Sequence, residues 1–345
     1  MRKKLMSILM ISMLTLTSIV GCQKANVEGD ESTKSKKEVT ITDFRGKEIT
    51  LSVPVDKVVC LLNSGLNDMY MLGCKDKVVG IDKWTYDTKD IYETTSKIDE
   101  RVKDKSLPAV DGNIEKIVAL EPDAVIVWSE SEDIKALEEK GIKVIGVQVN
   151  NFEDVQKKLE LIAQICGKEE RAQEIIKYTN GKLDEINKSL SKVSDKDKLN
   201  GVFTWGPSDL DFAGNNSTGN TILEYSGLKN SASKVNEEHF VASMEDAVAW
   251  NPQSIVIWNN QDVTPDTYYN DSKWKGVDAV KNKKVMQIPT AFHNDLWTVK
   301  YINAINMIAN TFYPDAMGNK DIDQDQKDID QDQKDMMKFL YGIEL

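Results

Sequence analysis

The apolar side chains of residues 169–193 recur at steps of three, four and seven, as expected for one face of a single helix. The residues on this apolar face are Ala172, Ile175, Ile176, Leu183, Ile186, Leu190 and Val193. At ~1.5 Å per residue the segment would form a rod of roughly 38 Å, longer than one small domain usually needs. Gly167 interrupts the preceding helical pattern, and a polar run after Val193 ends this one. We therefore predict a bridging helix over 167–196.

Short β-branched runs alternate with amphipathic helical segments on each side of this helix. That order is expected of a mainly parallel sheet covered by helices on both faces. The first side opens with alternating apolar and polar residues around Arg45-Gly46-Lys47, which predict a β-hairpin. The predicted fold is α/β with two similar lobes, at residues 39–166 and 197–345, and the second lobe includes the C-terminal helices.

The two predicted lobes share an internal repeat. Residues 113–128 (NIEKIVALEPDAVIVW) and 243–258 (SMEDAVAWNPQSIVIW) align without a gap. The identical pairs are Glu115/Glu245, Val118/Val248, Ala119/Ala249, Pro122/Pro252 and Trp128/Trp258. In each copy a polar residue starts a short helix, a proline prevents its continuation, and a β-branched run enters a buried strand. Because helix-proline-strand units are common in α/β proteins, chance resemblance is the alternative to two sister lobes.

The N-terminus has the features of an export signal over residues 1–21. Three basic residues precede an apolar run from Leu5 to Leu16, which is too short for a stable membrane span. The ending Ile19-Val20-Gly21-Cys22 resembles the bacterial lipobox, which implies a lipid on Cys22. An ordinary signal with a coincidental cysteine is the alternative. Residues 22–38 offer almost nothing that a core could bury, so they predict a solvated tether.

Composition narrows the range of partners. The chain has 44 basic and 56 acidic residues, and loss of residues 1–21 would remove three of the basic ones, leaving a net charge of −15. Phosphate binding needs a basic patch, so nucleic acid is not a predicted partner. Cys60, Cys74 and Cys166 have spacings that fit neither a disulfide framework nor a zinc site, and we expect buried free thiols.

The sequence contains no nucleophile elbow, P-loop, zincin or dinucleotide-binding motif. Its two histidines, His239 and His293, cannot supply a three-histidine zinc site. The duplicated heptapeptide DIDQDQK at 321–334 resembles a calcium loop, but glutamine occupies the position that needs a turn glycine, so an acidic surface helix is predicted. We predict no enzymatic activity and no required cofactor. Scattered carboxylates leave a cleft hydrolase as an alternative.

Several segments, in the right order, resemble one protein family. They are the export signal with its lipobox, TITDFRGKEITL, VVCLLNSGLNDMYMLGCKDKVVGID, GNIEKIVALEPDAVIVW, the bridging helix, and the second repeat ending in PQSIVIW. They are similar to the substrate-binding lipoproteins of ABC importers for iron complexes and cobalamin, over about residues 39–315. The resemblance implies two Rossmann-like lobes joined by one long helix, little hinge motion, a ligand cleft between the lobes, and delivery to a permease with its ATPase.

The same family docks on permease arginines through two glutamates, one in each lobe. Because Glu115 and Glu245 occupy matching positions in the repeat, the resemblance assigns this role to them. Each is also the second residue of a predicted helix, where a carboxylate contributes ~0.3–1 kcal/mol through the helix dipole. Helix capping is therefore the alternative, although it accounts less well for both glutamates.

Ligands in such folds contact the carboxyl ends of strands and helix N-termini near the cleft. The predicted ligand-binding residues are Asn63, Ser64, Trp84, Tyr86, Ser129, Trp205, His239, Phe240, Trp258, Asn259, Phe292, His293 and Trp297. His239 and His293 are also predicted as iron ligands, because an incompletely wrapped chelate or a haem accepts imidazole; an ordinary polar role is the alternative. Trp128 and Trp250 are predicted to lie in the core.

The predicted function is that of a monomeric, lipid-anchored, extracytoplasmic protein that captures a ferric siderophore or haem for an ABC permease. Anionic catecholate complexes are disfavoured, because the mature chain has only three arginines, Arg45, Arg101 and Arg171. Haem, hydroxamates and corrinoids remain. A cobalamin-binding protein of the same class is the first alternative, and a membrane-coupled ligand sensor is another.

Overall fold

A computed structural model of the chain describes residues 36–206, 208–259, 262–318 and 322–345, except for the side chains of 322–329. The predicted export signal, the predicted lipidation site Cys22 and all but the end of the predicted tether lie outside these residues. In the described part of the chain, no helix is both long enough and apolar enough to span a bilayer.

The first lobe combines a hairpin, a parallel sheet and covering helices. Its strands are β1 (Lys37–Thr42), β2 (Glu48–Val53), β3 (Val58–Cys60), β4 (Val78–Ile81), β5 (Ala124–Trp128) and β6 (Val144–Val147). Its helices are α1 (Asn63–Met71), α2 (Trp84–Asp87), α3 (Lys89–Ile98), α4 (Glu100–Lys103), α5 (Ile114–Ala119), α6 (Asp133–Glu139) and α7 (Phe152–Cys166). The predicted hairpin is confirmed as the antiparallel β1–β2 pair, and the sheet has the parallel order β4-β3-β5-β6.

The long helix predicted from residues 169–193 is present as α8 (Glu169–Leu190). Gly167 precedes it in the left-handed conformation that ends α7. Most of the predicted apolar face is buried, namely Ala172, Ile175, Ile176, Ile186 and Leu190.

The second lobe repeats the α/β arrangement with a mixed sheet. Its strands are β7 (Asn200–Thr204), β8 (Asp211–Ala213), β9 (Lys229–Asn230), β10 (His239–Val241), β11 (Ser254–Ile257) and β12 (Val285–Gln287). Its helices are α9 (Thr218–Tyr225), α10 (Met244–Trp250), α11 (Pro265–Asn270), α12 (Asp278–Lys281), α13 (Tyr301–Phe312), α14 (Pro314–Met317) and α15 (Ile322–Tyr341). The sheet order is β10-β8-β7-β11-β12, with β7, β11 and β12 parallel and β9 also beside β7. The predicted α/β class is confirmed.

The internal repeat holds in three dimensions. Asn113 and Ser243 cap α5 and α10, and each side chain accepts a hydrogen bond from the backbone N–H three residues on. Over the eight residues from each cap, buried, half-buried and exposed positions follow the same sequence in both copies. The two segments are therefore equivalent units, each presenting the same face to its lobe and the same face to solvent.

One hydrophobic core joins the two lobes, and residues 36–345 form a single compact unit. The stacked rings of Phe152 and Tyr301, with centroids 3.6 Å apart, bring α7 of the first lobe against α13 of the second. Smaller separate cores lie under the outer face of each sheet. Because buried apolar area is continuous between the lobes, separating them would expose it to water at about 25 cal/mol per Å².

A buried polar junction also connects the lobes. The Asn67 Oδ1 of α1 accepts hydrogen bonds from Lys300 Nζ at 3.0 Å and from the Tyr341 hydroxyl at 2.7 Å. The Asp90 carboxylate of α3 accepts from the backbone N–H groups of Ala291 and Phe292, at 2.8 and 3.2 Å. These contacts fix the orientation of the first lobe relative to the second.

Replacing Asp90 by alanine should weaken the inter-lobe contact. Two backbone N–H groups would lose their acceptor, so we expect the free energy of unfolding to fall by about 1–3 kcal/mol in urea denaturation. Glu93→Ala, on the exposed face of the same helix with a single 4.0 Å ion pair to Lys89, is the matched control and should change stability by less than about 0.5 kcal/mol. Equal effects of the two substitutions would contradict the role of Asp90.

Candidate functional site

A cavity of about 420 Å³ lies between the two lobes. Both lobes contribute to its wall, which is predominantly apolar and aromatic. The lining residues are Leu61, Leu62, Asn63, Ser64, Asp82, Trp84, Ile91, Trp128, Trp205, Gly206, His239, Trp258, Ala291, Asp295 and Trp297. Its volume is within the range of small-molecule sites.

The parallel strands place these residues together. Leu61 to Ser64 follow β3, Asp82 follows β4, and Trp128 ends β5. In the second lobe Trp205 follows β7 and Trp258 follows β11. The carboxyl ends of parallel strands open at one edge of a sheet, which is where ligands bind in α/β folds. The cavity is thus formed where the two such edges face each other.

The second-lobe wall is a continuous row of rings. His239 stacks on Trp205 at 4.5 Å between ring centroids and 19° between planes, and Trp205 lies 6.0 Å from Trp297 at 24°. Trp258 meets Trp297 edge-on at 5.7 Å. This row offers broad π surfaces to a flat or apolar ligand.

The first-lobe wall combines two accessible tryptophans with a polar floor. Trp84 is 57% exposed and Trp128 is 36% exposed. The floor is a hydrogen-bond chain in which Asn67 Nδ2 donates to Asn63 Oδ1, Asn63 Nδ2 donates to Thr85 Oγ1, and Thr85 donates to Asp82. Since Asn67 also accepts from Lys300 and Tyr341, the second lobe helps to hold this floor.

The floor also carries Ser64, whose hydroxyl is buried. Among the residues that the structure describes, it has no hydrogen-bond partner. A buried hydroxyl without a partner is costly, so a polar atom of a ligand would find a donor here.

Burial has the largest effect on the pKa values of the ionisable groups at the floor. It raises the pKa of Asp82 to about 6, opposed by hydrogen bonds from Thr85 and reinforced by Asp111. Burial lowers the pKa of Lys300 to about 8, against the opposing charges of Asp295 and Asp68. The Lys300 ammonium lies 3.6 Å from the Phe292 ring centroid and does not line the cavity.

His239 is the titratable aromatic residue of the cavity. Its Nδ1 lies 3.8 Å from an Asp211 carboxylate oxygen. This separation exceeds hydrogen-bond distance, so the carboxylate is a neighbouring charge and not a hydrogen-bond partner of the ring. Within the described residues, no group of three or more histidine, cysteine or acidic side chains is arranged to hold a metal ion.

The structure brings about half of the predicted ligand-binding residues to the cavity. Those that line it are Asn63, Ser64, Trp84, Trp205, His239, Trp258 and Trp297. Those that do not are Tyr86, Ser129, Phe240, Asn259, Phe292 and His293. Asn259 lines a neighbouring cavity of about 630 Å³, which shares Trp84 and Ala291 with the first. His293 packs against Phe292, and burial lowers its pKa to about 4, so it is neutral at neutral pH.

The prediction that Trp128 lies in the core is wrong. It is the last residue of β5, where the strand leaves the sheet edge, and its ring lines the cavity. Trp250, which was also predicted to lie in the core, is half-buried against Phe212 and Phe240. Sequence reasoning also missed Asp82 and Asp295. The position of Asp82 directly after β4 was a signal that could have found it.

Comparison with known proteins gives a consistent class. Residues 58–291 match the model of a family described as periplasmic binding protein. The chain is 28% identical over 318 residues to the ABC transporter substrate-binding lipoprotein YvrC of Bacillus subtilis (strain 168), covering 88% of this chain and 95% of that protein. It is 22% identical over 299 residues to the iron(3+)-hydroxamate-binding protein YxeB of the same organism, covering 81% and 88%.

A third relative has a solved structure. The molybdate-binding protein MolA of Haemophilus influenzae is 25% identical over 316 residues, covering 82% of this chain and 87% of MolA. The structure of MolA bound to molybdate superposes with a TM-score of 0.75 at 22% identity, covering 89% of this chain and 99% of that chain. This likeness confirms the predicted two-lobed α/β architecture.

Replacing Asp82 by asparagine should change how stability depends on pH. The raised pKa means that folded Asp82 holds its proton more tightly than unfolded Asp82, so this stabilisation is complete below about pH 4 and is lost as the pH rises through about 6. Asp82→Asn should flatten the free energy of unfolding between pH 4 and 6 in urea denaturation. Asp87→Asn, at an exposed position on α2, should leave the slope unchanged. An unaltered slope in Asp82→Asn would contradict this assignment.

Proposed function

Because the chain belongs to the periplasmic binding protein family, we propose that it captures an iron complex outside the cytoplasm and delivers it to an ABC permease. Proteins of this kind bind a small ligand for a permease and its ATPase and are not enzymes. The relatives are named for different ligands, from molybdate to iron hydroxamate, so family membership does not identify the ligand. The ligand class therefore has to be inferred from the residues that line the cleft.

The observation that carries the proposal is the aromatic cavity with His239 on its wall. Five of the chain's seven tryptophans line it, and they come from both lobes. Such a wall favours a large apolar or planar ligand over a small hydrated ion. His239 adds a nitrogen donor, and the Ser64 hydroxyl, which has no hydrogen-bond partner in the described part of the chain, adds a hydrogen-bond donor. A ferric hydroxamate or a haem has a metal centre for the His239 nitrogen and oxygen atoms that can accept a hydrogen bond from the Ser64 hydroxyl.

Molybdate fits this lining less well. A small oxyanion needs several hydrogen-bond donors or cations around it. The described lining residues include no lysine or arginine, and two of them, Asp82 and Asp295, are acidic. The iron-hydroxamate relative is therefore the better guide to this cleft.

A corrinoid is the second candidate. The stacked row from His239 to Trp297 would suit the face of a corrin ring as well as that of a porphyrin, and His239 could ligate cobalt. The same titration experiment that tests the iron complex separates the two candidates.

The surface for the permease is proposed at Glu115 and Glu245. Both glutamates are exposed, each in the first turn of its helix. Val118 and Val248, one turn further on, are the equivalent exposed apolar residues, at 37% and 42% exposure. Each lobe thus presents a carboxylate beside an apolar side chain, a combination that fits an arginine surrounded by apolar side chains. The proposed lipid on Cys22 would hold the protein near the membrane.

Titration of the full chain with haem, a ferric hydroxamate and cobalamin should identify the ligand class. We expect the iron complex to quench the intrinsic tryptophan fluorescence, because five tryptophans lie at the cavity. His239→Ala should weaken binding of that complex by roughly 10-fold or more if imidazole ligates the metal. His293→Ala is the matched control, since His293 lies outside the lining. If none of the three complexes quenches the fluorescence, the proposed function is overturned.

Charge reversal at both docking glutamates should separate transport from binding. We expect Glu115→Lys with Glu245→Lys to reduce ligand uptake in cells by at least roughly 10-fold, because close charge pairs across an interface contribute strongly, and to leave ligand affinity within about twofold. The control is Glu139→Lys with Asp266→Lys, one exposed position in each lobe with the same change in net charge. Unimpaired uptake by the first pair would rule out the docking role.

A further inference from the structure

The ionisable carboxylates that line the cleft give it a negative charge, which favours ligands of positive charge. Asp82 and Asp295 are the ionisable acids of the lining, and each is more than nine-tenths buried. The neighbouring cavity that shares Trp84 and Ala291 adds Asp87, Asp90, Glu93 and Asp262. Low-dielectric walls concentrate the field of such charges in the space between them.

Acidic residues also lie around His239, outside the lining of the cavity. Asp211 lies beside His239. The backbone carbonyl of Glu238 accepts a hydrogen bond from the indole N–H of Trp205. Burial raises the pKa of Glu238; the neighbouring His239 opposes this shift, and the charge of Glu130 reinforces it.

The cations near the cleft offset this field only in part. Lys89 is the basic residue among the described lining of the neighbouring cavity, its side chain is 86% exposed, and it pairs with Glu93 at 4.0 Å. Lys300 is fully buried beneath the floor, hydrogen-bonded to Asn67 and directed over the Phe292 ring. Its charge interacts with Asp295, whereas no basic residue is among the main influences on the pKa of Asp82. Lys83 precedes Trp84 on the exposed surface and is outside both linings.

We propose that this cleft selects ligands that carry a positive charge, which the tryptophan faces and the acidic floor hold together. An organic cation over the face of an indole is attracted by the ring quadrupole, and the attraction grows when water is excluded. Trp84 and Trp128 from one lobe line the same cavity as the row of Trp205, Trp297 and Trp258 from the other. The ligand class is therefore a cationic complex, such as a neutral chelate core that carries an ammonium arm. Carboxylate-rich or catecholate complexes are rejected, and of the two proposed ligands haem, with its two propionates, is disfavoured relative to a ferric hydroxamate.

This inference deepens the proposed function and rests on the same cavity, but one test does not depend on any metal complex. Tetraphenylphosphonium and tetraphenylborate have nearly the same size and shape and opposite charges. In calorimetric titration of the full chain, we expect the phosphonium to bind at least roughly 10-fold more tightly than the borate, with the ratio shrinking at high salt. Equal affinities, tighter binding of the borate, or binding of neither overturns the inference.

A matched pair of iron complexes tests the inference on the proposed ligand class. Ferrioxamine B and its N-acetyl derivative share one iron coordination and differ by a single ammonium group. We expect the ammonium form to bind at least roughly threefold more tightly, a difference that matches an exposed cation–π contact. If both forms bind equally, the proposed function survives and the charge selection fails.

Two substitutions assign the selection to the cleft. Asp82→Asn keeps the shape of the floor and removes its charge, so the phosphonium-to-borate ratio should fall by at least roughly threefold. Glu185→Gln, on the exposed side of α8, changes the net charge equally and should leave the ratio unchanged. Circular dichroism before each titration verifies that the variants are folded. A fall of the same size in both variants would assign the effect to overall charge and overturn the role of the cleft.

Discussion

The shared core between the lobes is the constraint on which the cleft depends. Phe152 against Tyr301 and the Asn67 junction to Lys300 and Tyr341 fix one lobe on the other. Asn67 also holds Asn63 at the cavity floor, so the contact that joins the lobes is one hydrogen bond away from the ligand site. Opening a cleft formed this way would break buried hydrogen bonds and expose apolar surface to water, which opposes a large change in its width.

The character of that wall follows from sheet geometry. Side chains inside a parallel sheet must be apolar, whereas the residue at the carboxyl end of a strand is released from that requirement. Trp128, Trp205 and Trp258 occupy such ends, and Asp82 occupies another. More tryptophans than a small core would accommodate are thereby concentrated at the cleft between the lobes. Buried carboxylates beneath them are tolerated because Thr85 and the backbone of Trp297 donate hydrogen bonds to them.

Periodicity and repetition were sufficient to predict the large features. The apolar steps of residues 169–193 predicted α8, and the repeat predicted equivalent capped helices in both lobes. Local sequence could not predict which strand-end side chains turn inward. The β-branched run before Trp128 indicated a buried strand, and Trp128 was assigned to the core with it, although the sheet ends at that residue. His293 was placed by its distance from a strand, and its ring orientation depends on Phe292 and Thr290. Such directions are set by tertiary packing, which no sequence period encodes.

The repeat also links the two proposed surfaces of the protein. Within one unit of sixteen residues, a glutamate at the exposed helix start and a tryptophan at the cavity are connected by a single helix-proline-strand segment. The second lobe carries the same unit, with Glu245 at one end and Trp258 at the other. A ligand that contacts both tryptophans would therefore contact the same two segments that carry the glutamates proposed for docking. The repeat thus gives each lobe one unit that connects the proposed ligand surface to the proposed docking surface.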